Sequence, residues 1–103
     1  MVRPDIKIIG VESDESASMY KSLKKGRRVT LENVGIFADG VAVAKVGKEP
    51  FRIVKKVVDE VILADVDQIC AAIKDLFEDT RAIAEPSGAL ALAGMKKLSL
   101  IHI

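Results

Sequence analysis

The sequence has 103 residues, of which 50% are hydrophobic and 30% charged, and its formal net charge is +1. This length allows at most one domain, and the balanced charge argues against nucleic acid as the main partner. No apolar run approaches the roughly 18 residues of a transmembrane helix, and the first residues lack the apolar stretch of a signal peptide. The single cysteine, Cys70, has no internal disulfide partner, which predicts a cytoplasmic setting.

The chain begins with a predicted strand and a predicted short helix. Residues 6–12 are apolar and rich in β-branched side chains, which predicts a buried strand that ends at the polar Glu12. Residues 16–25 are predicted to form a surface helix that ends at Gly26. The apolar residues expected on one side of this helix are Met19, Tyr20 and Leu23.

A long loop is predicted to follow, over residues 27–47. Its apolar pieces are short, and Gly35, Gly40 and Gly47 separate them. Glycines in such a loop are expected where the backbone adopts unusual dihedral angles. The basic run at residues 24–28 contains no aromatic residue, so we interpret it as a solvated turn and not as a phosphate-binding patch.

The second half of the chain predicts a helix, a strand and two further helices. Pro50 suits the first turn of a helix, and residues 60–64 form a second short apolar strand. Asp65 and Gln68 then form a capping-box pattern at the start of a strongly amphipathic helix. The apolar stripe of that helix comprises Val66, Ile69, Cys70, Ile73, Leu76 and Phe77. This stripe predicts that Cys70 is a buried packing residue.

The last predicted helix follows the segment Ala-Glu-Pro-Ser-Gly-Ala at residues 84–89. Ser87 is predicted to cap a helix over residues 89–97, which is apolar nearly all round and is therefore expected to be buried on several sides. Glu85 places a carboxylate beside free backbone N–H groups at the helix start. Such a corner favours anions and oriented polar ligands.

The order strand, helix, helix, strand, helix, helix predicts a parallel α/β fold. Two strands form a sheet too small to cover four helices. We therefore predict that the chain is a piece of a larger α/β domain.

Four segments together resemble the biosynthetic threonine dehydratases (threonine ammonia-lyases), which are pyridoxal-phosphate enzymes with a tryptophan-synthase-β-like fold. They are IKIIGVESDESASM at 6–19, FADGVAV at 37–43, DVDQICAAIKDLFED at 65–79 and RAIAEPSGALALAGMKK at 81–97. The resemblance implies a fragment of a three-layer αβα parallel-sheet domain, the type II fold of pyridoxal-phosphate enzymes. Residues 98–103 depart from the usual continuation of the family and form an atypical tail.

The resemblance also implies that important parts of the family's site have no counterpart in these 103 residues. They are the cofactor lysine of a Ser-Phe-Lys-type motif, the glycine-rich phosphate loop, and the serine beside the pyridine nitrogen. Residues 1–103 are thus expected to be the C-terminal portion of a catalytic domain, incomplete at both ends. No catalytic residue is assigned to it, and the isolated chain is expected to be inactive.

The activity implied by the resemblance is a lyase reaction that converts L-threonine, and as a second substrate L-serine, to a 2-oxo acid and ammonia. For threonine the product is 2-oxobutanoate, a step of isoleucine biosynthesis. The cofactor is pyridoxal 5'-phosphate (PLP), and the parent is expected to be a cytoplasmic homo-oligomer without membrane or nucleic-acid partners. A serine racemase or serine dehydratase of the same fold stays open, as does a non-catalytic α/β module that binds an anion or a partner helix.

The resemblance assigns Gly40 and Glu85 to the wall of the cofactor pocket. The alternatives are an ordinary turn glycine and a carboxylate placed favourably on the helix dipole. Glu12 resembles the strand-end glutamate that binds a divalent cation in serine racemases, but the second carboxylate of that site is replaced by Ser18. We therefore predict no metal and keep Glu12 as a candidate ligand whose favoured alternative is a solvated or helix-capping role. His102, the only histidine, has no assigned role.

Overall fold

The structure is a computed structural model, described here over residues 3–101. Its helices and strands, in chain order, are β1 (Ile9–Ser13), α1 (Ser18–Lys25), α2 (Lys48–Val57), β2 (Glu60–Ala64), α3 (Val66–Thr80) and α4 (Pro86–Ile101). Two 3-10 turns, Asp14–Ser16 and Asp39–Val41, lie in the connections. His102 lies outside the described residues.

The two strands form a parallel sheet, in which Ile9 is paired with Glu60 and Ser13 with Ala64. Successive side chains of a strand point to opposite faces. Val11 faces α4, whereas Glu12 bonds to the start of α1 on the other face. Helices therefore cover both faces of the described sheet, and the predicted parallel α/β fold is confirmed.

Local sequence signals explain the ends of several elements. Gly26 ends α1 with a left-handed φ of 76°, and its N–H donates to the carbonyl of Ser22. The capping box of α3 is present: Asp65 accepts from the Gln68 N–H at 2.8 Å, and Gln68 accepts from the Asp65 N–H at 2.9 Å. Both predictions are thus confirmed.

Small residues dominate the core between α3, α4 and the sheet. The buried residues of this cluster are Ala38, Ala64, Ile69, Ala72, Ala89, Leu90 and Ala93. Alanines allow the backbones of these elements to approach closely. Gly94 allows a still closer approach of α4 to the sheet, because it lies directly over Val11 of β1. The prediction that the helix after residue 89 is buried on several sides holds for part of its surface, since Ala91 and Met95 are exposed.

The prediction that Cys70 is buried is wrong, because this side chain is exposed. Helix α3 packs on α4 through Ile69, Ala72 and the partly buried Ile73. Cys70 follows Ile69 by one residue, about 100° around the helix, and falls outside this stripe. Phe77 is also 44% exposed.

The buried face of α1 differs from the predicted one. Ser18 and Ser22, four residues apart, are 1% and 0% exposed, whereas Met19 and Tyr20 are only half-buried. The prediction for the loop glycines is also wrong, since Gly26 is the only glycine between residues 3 and 101 with a positive φ. The glycines of residues 27–47 serve close contacts instead.

Candidate functional site

A corner of the fold brings Gly40 and Glu85 together, although they are 45 positions apart in the sequence. The 3-10 turn Asp39–Val41 lies against the first turn of α4. A Cβ added at Gly40 would lie 2.8 Å from the Ser87 Oγ and 3.8 Å from the Glu85 Oε1. A side chain at position 40 would crowd Ser87, so the glycine serves close approach and not an unusual backbone angle.

Two local arrangements hold the corner in place. Pro86 is the first residue of α4, a position that proline favours, and the Ala89 N–H donates to the Glu85 carbonyl at 3.1 Å. On the other side, Ala38 is 5% exposed within the core cluster, and its carbonyl accepts from the Val41 N–H at 3.1 Å. The backbone on both sides of the contact is therefore fixed.

Ser87 does not cap α4, so that prediction is wrong. The helix begins one residue earlier, at Pro86, which places Ser87 within the first turn. Its Oγ is buried and has no hydrogen-bond partner among residues 3–101. An unsatisfied buried hydroxyl costs about 1–3 kcal/mol, so a polar partner at this corner would stabilise the fold.

Glu85 is an exposed residue at the same corner. Its carboxylate makes no ion pair and accepts no side-chain hydrogen bond within the described part of the chain. The first N–H groups of α4 lie beside it and have no intrahelical partners. The corner thus offers a solvent-facing carboxylate, free helix N–H groups and a backbone without a side chain at Gly40.

Glu12 lies on the opposite face of the sheet, where it caps α1. Its two carboxylate oxygens accept from the N–H groups of Met19 at 2.9 Å and Tyr20 at 2.8 Å. Within residues 3–101, no group of three potential metal ligands comes together. Burial raises the pKa of the Glu12 carboxyl, and the hydrogen bonds from Tyr20 and Met19 oppose that rise.

This raised pKa predicts a pH dependence of stability. Between the ordinary pKa and the raised one, the folded chain binds more protons than the unfolded chain, so the free energy of unfolding falls as pH rises. The stabilising contribution is complete below the ordinary glutamate pKa of 4.5 and is lost as the pH rises through the raised pKa. We expect that the free energy of unfolding of Glu12→Gln lacks this decrease with pH. Urea unfolding between about pH 4 and 7 measures it.

The matched control for this experiment is Glu32→Gln, which removes one negative charge at an exposed position. The free energy of unfolding should decrease with pH in the same way in wild type and in Glu32→Gln. A profile of Glu12→Gln that is parallel to wild type would contradict the assignment.

Sequence reasoning missed two contacts of the loop that carries Gly40. The Ser87 hydroxyl was expected to be satisfied by its own helix, and its contact with Gly40 has no local signal because it joins distant segments. The contact of Gly35 with the turn Asp14–Ser16 was also missed. The Gly35 N–H donates to the Ser16 Oγ at 2.9 Å and to the Glu15 carbonyl at 3.1 Å. The only signal for it is a glycine in a loop rich in apolar residues.

The chain is similar to known proteins over almost its whole length. The family described as pyridoxal-phosphate dependent enzyme matches residues 1–101. The biosynthetic L-threonine dehydratase IlvA of Pasteurella multocida is 60% identical over 99 residues, which are 96% of this chain and 19% of that protein. The mitochondrial threonine dehydratase of Saccharomyces cerevisiae is 56% identical over 102 residues, 98% of this chain and 18% of the relative. The chain thus spans about a fifth of the length of these relatives.

Solved structures share the fold. Threonine deaminase isoform 2 of Solanum lycopersicum superimposes with a TM-score of 0.89 at 50% identity, covering 90% of this chain and 27% of that one. Maize serine racemase gives a TM-score of 0.84 at 33% identity, covering 89% and 29%. No helix within residues 3–101 is both long and apolar enough to cross a membrane. The match over residues 1–101 shows that the chain belongs to the pyridoxal-phosphate dependent enzyme family.

Proposed function

We propose that this chain is part of an L-threonine ammonia-lyase, a PLP enzyme that eliminates water from L-threonine and adds one water back by hydrolysis, so that the net products are 2-oxobutanoate and ammonia. The observation that carries the proposal is the identity of 55–60% to proteins named threonine dehydratase in bacteria and fungi. The structural likeness to the tomato threonine deaminase supports the same activity. Residues 1–103 would form the C-terminal portion of its catalytic domain, with residues 98–103 as an atypical tail.

The corner of Gly40 and Glu85 fits a planar cofactor. The Cβ position of Gly40 is directed at Ser87, so the glycine lets the turn Asp39–Val41 lie against α4, and the exposed side of its backbone carries no side chain that a flat ring would meet. The buried Ser87 hydroxyl is unsatisfied within the described residues, as expected for a corner completed by further polar groups. PLP, when bound, supplies the electron sink that makes the Cα proton of the amino acid removable.

The chain's own residues orient and do not carry out the chemistry. Gly40 would present its backbone to the cofactor ring, and the Glu85 carboxylate would accept hydrogen bonds from the loops that close around it. Ser87 would contact Gly40 on the side that faces α4, where its Oγ is buried. The cofactor lysine of the family belongs to a part of the site that has no counterpart in these 103 residues.

A serine racemase or serine dehydratase of the same fold is the second candidate. The maize serine racemase has the same fold, but its identity to this chain is 33%, against 50% for the tomato threonine deaminase. Ser18 stands where the cation site of the racemases has a carboxylate by resemblance, and both Glu12 oxygens are engaged by α1. These observations favour threonine as the main substrate and L-serine as a second one.

The proposal includes a cytoplasmic, homo-oligomeric parent that acts in isoleucine biosynthesis. The single cysteine is compatible with a reducing compartment. Fractionation of cells tests the compartment, and light scattering of the purified protein tests the oligomeric state.

Activity is tested with the protein encoded by the complete reading frame, supplied with PLP. We expect release of 2-oxobutanoate from L-threonine, a slower release of pyruvate from L-serine, and no interconversion of L- and D-serine. Serine racemization faster than threonine deamination would favour the second candidate. Absence of all three reactions in a protein that binds PLP would contradict the proposal.

The 103-residue chain by itself provides a further prediction. We expect no visible absorbance from bound PLP when it is mixed with the cofactor, because it contains no Ser-Phe-Lys motif and no glycine-rich phosphate loop. The complete protein, measured in parallel under the same conditions, should turn yellow. A stable yellow complex of the short chain, retained through gel filtration, would contradict this expectation.

A further inference from the structure

Three residues join the 3-10 turn after β1 to the loop segment that leads to Gly40. They are Glu15, Ser16 and Gly35, which we call the Gly35 clamp. The N–H of Gly35 is shared between the Ser16 Oγ at 2.9 Å and the Glu15 carbonyl at 3.1 Å. Ser16 is 2% exposed, so water does not replace this hydrogen bond readily.

The Gly35 clamp also leaves no space for a side chain at position 35. A Cβ added at Gly35 would lie 2.8 Å from the Glu15 Oε2 and would overlap the Glu15 Cβ. The φ of Gly35 is not positive, so the glycine is required by the closeness of the Glu15 side chain, whose Cβ cannot rotate away. Two independent observations, a bifurcated hydrogen bond and the absence of space, therefore fix Gly35 on the turn Asp14–Ser16.

The position of the clamp in the chain connects it to the candidate site. Gly40 is five positions after Gly35, a span of at most about 18 Å. Within it, Ala38 is buried in the core, whereas Ile36 is 88% exposed and adds no anchor. The segment before the turn Asp39–Val41 is thus held at two points, the clamp and Ala38.

Resting on the proposed function, we propose that Ser16 is a positioning residue for the PLP pocket, which acts through Gly35 to fix the turn that presents Gly40 to the cofactor. Within the described residues, the hydrogen bond of the Ser16 Oγ is to the Gly35 N–H, and Ser16 makes none to Ser87. Ser22 offers a natural comparison, since its Oγ accepts from the Val29 N–H at 2.9 Å at the far end of the same loop. Ser22 is equally buried and is expected to have no role at Gly40.

The first test measures hydrogen–deuterium exchange in the protein encoded by the complete reading frame, without PLP. The amides of Val41 and Ala42 donate to Ala38 and Asp39 carbonyls, so their exchange reports the order of the turn. Loss of one net hydrogen bond predicts about fivefold faster exchange over residues 35–42 in Ser16→Ala. Ser22→Ala should instead accelerate exchange only near Val29.

Ser16→Cys separates hydrogen bonding from packing. Cysteine fills the volume of serine but is a weaker acceptor, so its exchange over residues 35–42 should lie between wild type and Ser16→Ala. A purely structural role predicts faster exchange throughout the protein for both variants. That uniform increase, or an increase confined to Gly35 while Val41 and Ala42 stay at wild-type rates, would overturn the inference.

The second test titrates PLP into the same proteins. Ser16→Ala is expected to raise the dissociation constant of PLP about fivefold and to alter the visible circular dichroism of the bound cofactor, whereas Ser22→Ala should match wild type. Equal PLP affinity and spectra in Ser16→Ala and wild type would overturn the inference. If wild type binds no PLP, the proposed function has failed, and the exchange experiment still decides whether the clamp orders the turn.

Discussion

Replacing Gly94 with alanine is expected to lower the free energy of unfolding by about 2 kcal/mol. Gly94 is buried where α4 crosses the sheet, and a Cβ there would overlap the Val11 Cγ2 and lie 2.8 Å from its Cγ1. Val11 is in the middle of β1, paired with Ile62, and its branched side chain has few alternative rotamers. The helix must therefore move away from the sheet, which outweighs the gain in helix propensity of up to about 1 kcal/mol.

Helix α4 contains its own control. A Cβ at Gly88 would meet only the Glu85 Cγ, at an ordinary 3.5 Å, so Gly88→Ala should be neutral or stabilising by up to about 1 kcal/mol. Adding Val11→Ala to Gly94→Ala should recover part of the loss by clearing the space. Urea unfolding of the protein encoded by the complete reading frame measures all variants. Equal effects at Gly88 and Gly94 would contradict the packing described for α4.

Gly40→Ala is expected to have the largest effect on function. The new methyl would lie 2.8 Å from the Ser87 Oγ and 3.0 Å from its Cβ, which pushes the turn Asp39–Val41 away from α4 and into the proposed pocket. A displacement of about 1 Å at a site of this kind can cost about 100-fold in rate. We therefore expect kcat/KM for L-threonine to fall about 100-fold and PLP to bind more weakly, with little change in unfolding.

The control for this variant removes the collision from the other side. Ser87→Gly combined with Gly40→Ala clears both nearest atoms, and we expect it to restore most of the PLP affinity. Ser87→Gly alone reports what the Ser87 hydroxyl contributes in the complete protein, and the PLP affinity of the double variant is compared with that of this single variant. Failure of the double variant to recover, with folding intact, would show that the Gly40 contact does not set the pocket wall.

The parts of the fold that the sequence predicts correctly are those decided by local signals. The strand Glu60–Ala64 and the capping box of Asp65 are recognisable from neighbouring residues alone. Gly26 ends α1 as expected because a left-handed residue after a helix is a local requirement. The parallel arrangement follows from the order of the elements.

The errors occur where a distant segment decides the outcome. Cys70 lies on the apolar side of α3, but α4 covers only the neighbouring stripe around Ile69 and Ala72, so Cys70 stays exposed. On the inner face of α1, the buried Ser22 accepts the Val29 N–H of the loop, whereas the buried Ser18 Oγ has no hydrogen-bond partner among residues 3–101. A hydrophobic pattern cannot reveal such a polar interface.

In the candidate site, too, some features can be predicted from the sequence and others depend on contacts between distant segments. Its residues Gly40 and Glu85 come from resemblance to a family, and their pocket-lining role stays a prediction. What the sequence could not provide is their mutual contact, which requires the turn Asp39–Val41 to lie on the first turn of α4. A serine near a helix start usually caps the helix, which predicts that role for Ser87, whereas Pro86 begins the helix one residue earlier.

The most direct test of the pocket is a crystal structure of the protein encoded by the complete reading frame with PLP bound. We expect the pyridine ring to lie within about 4 Å of the Gly40 backbone, with the Glu85 carboxylate at the same edge of the pocket. A cofactor located elsewhere, with the Gly40–Glu85 corner covered by protein, would contradict the account.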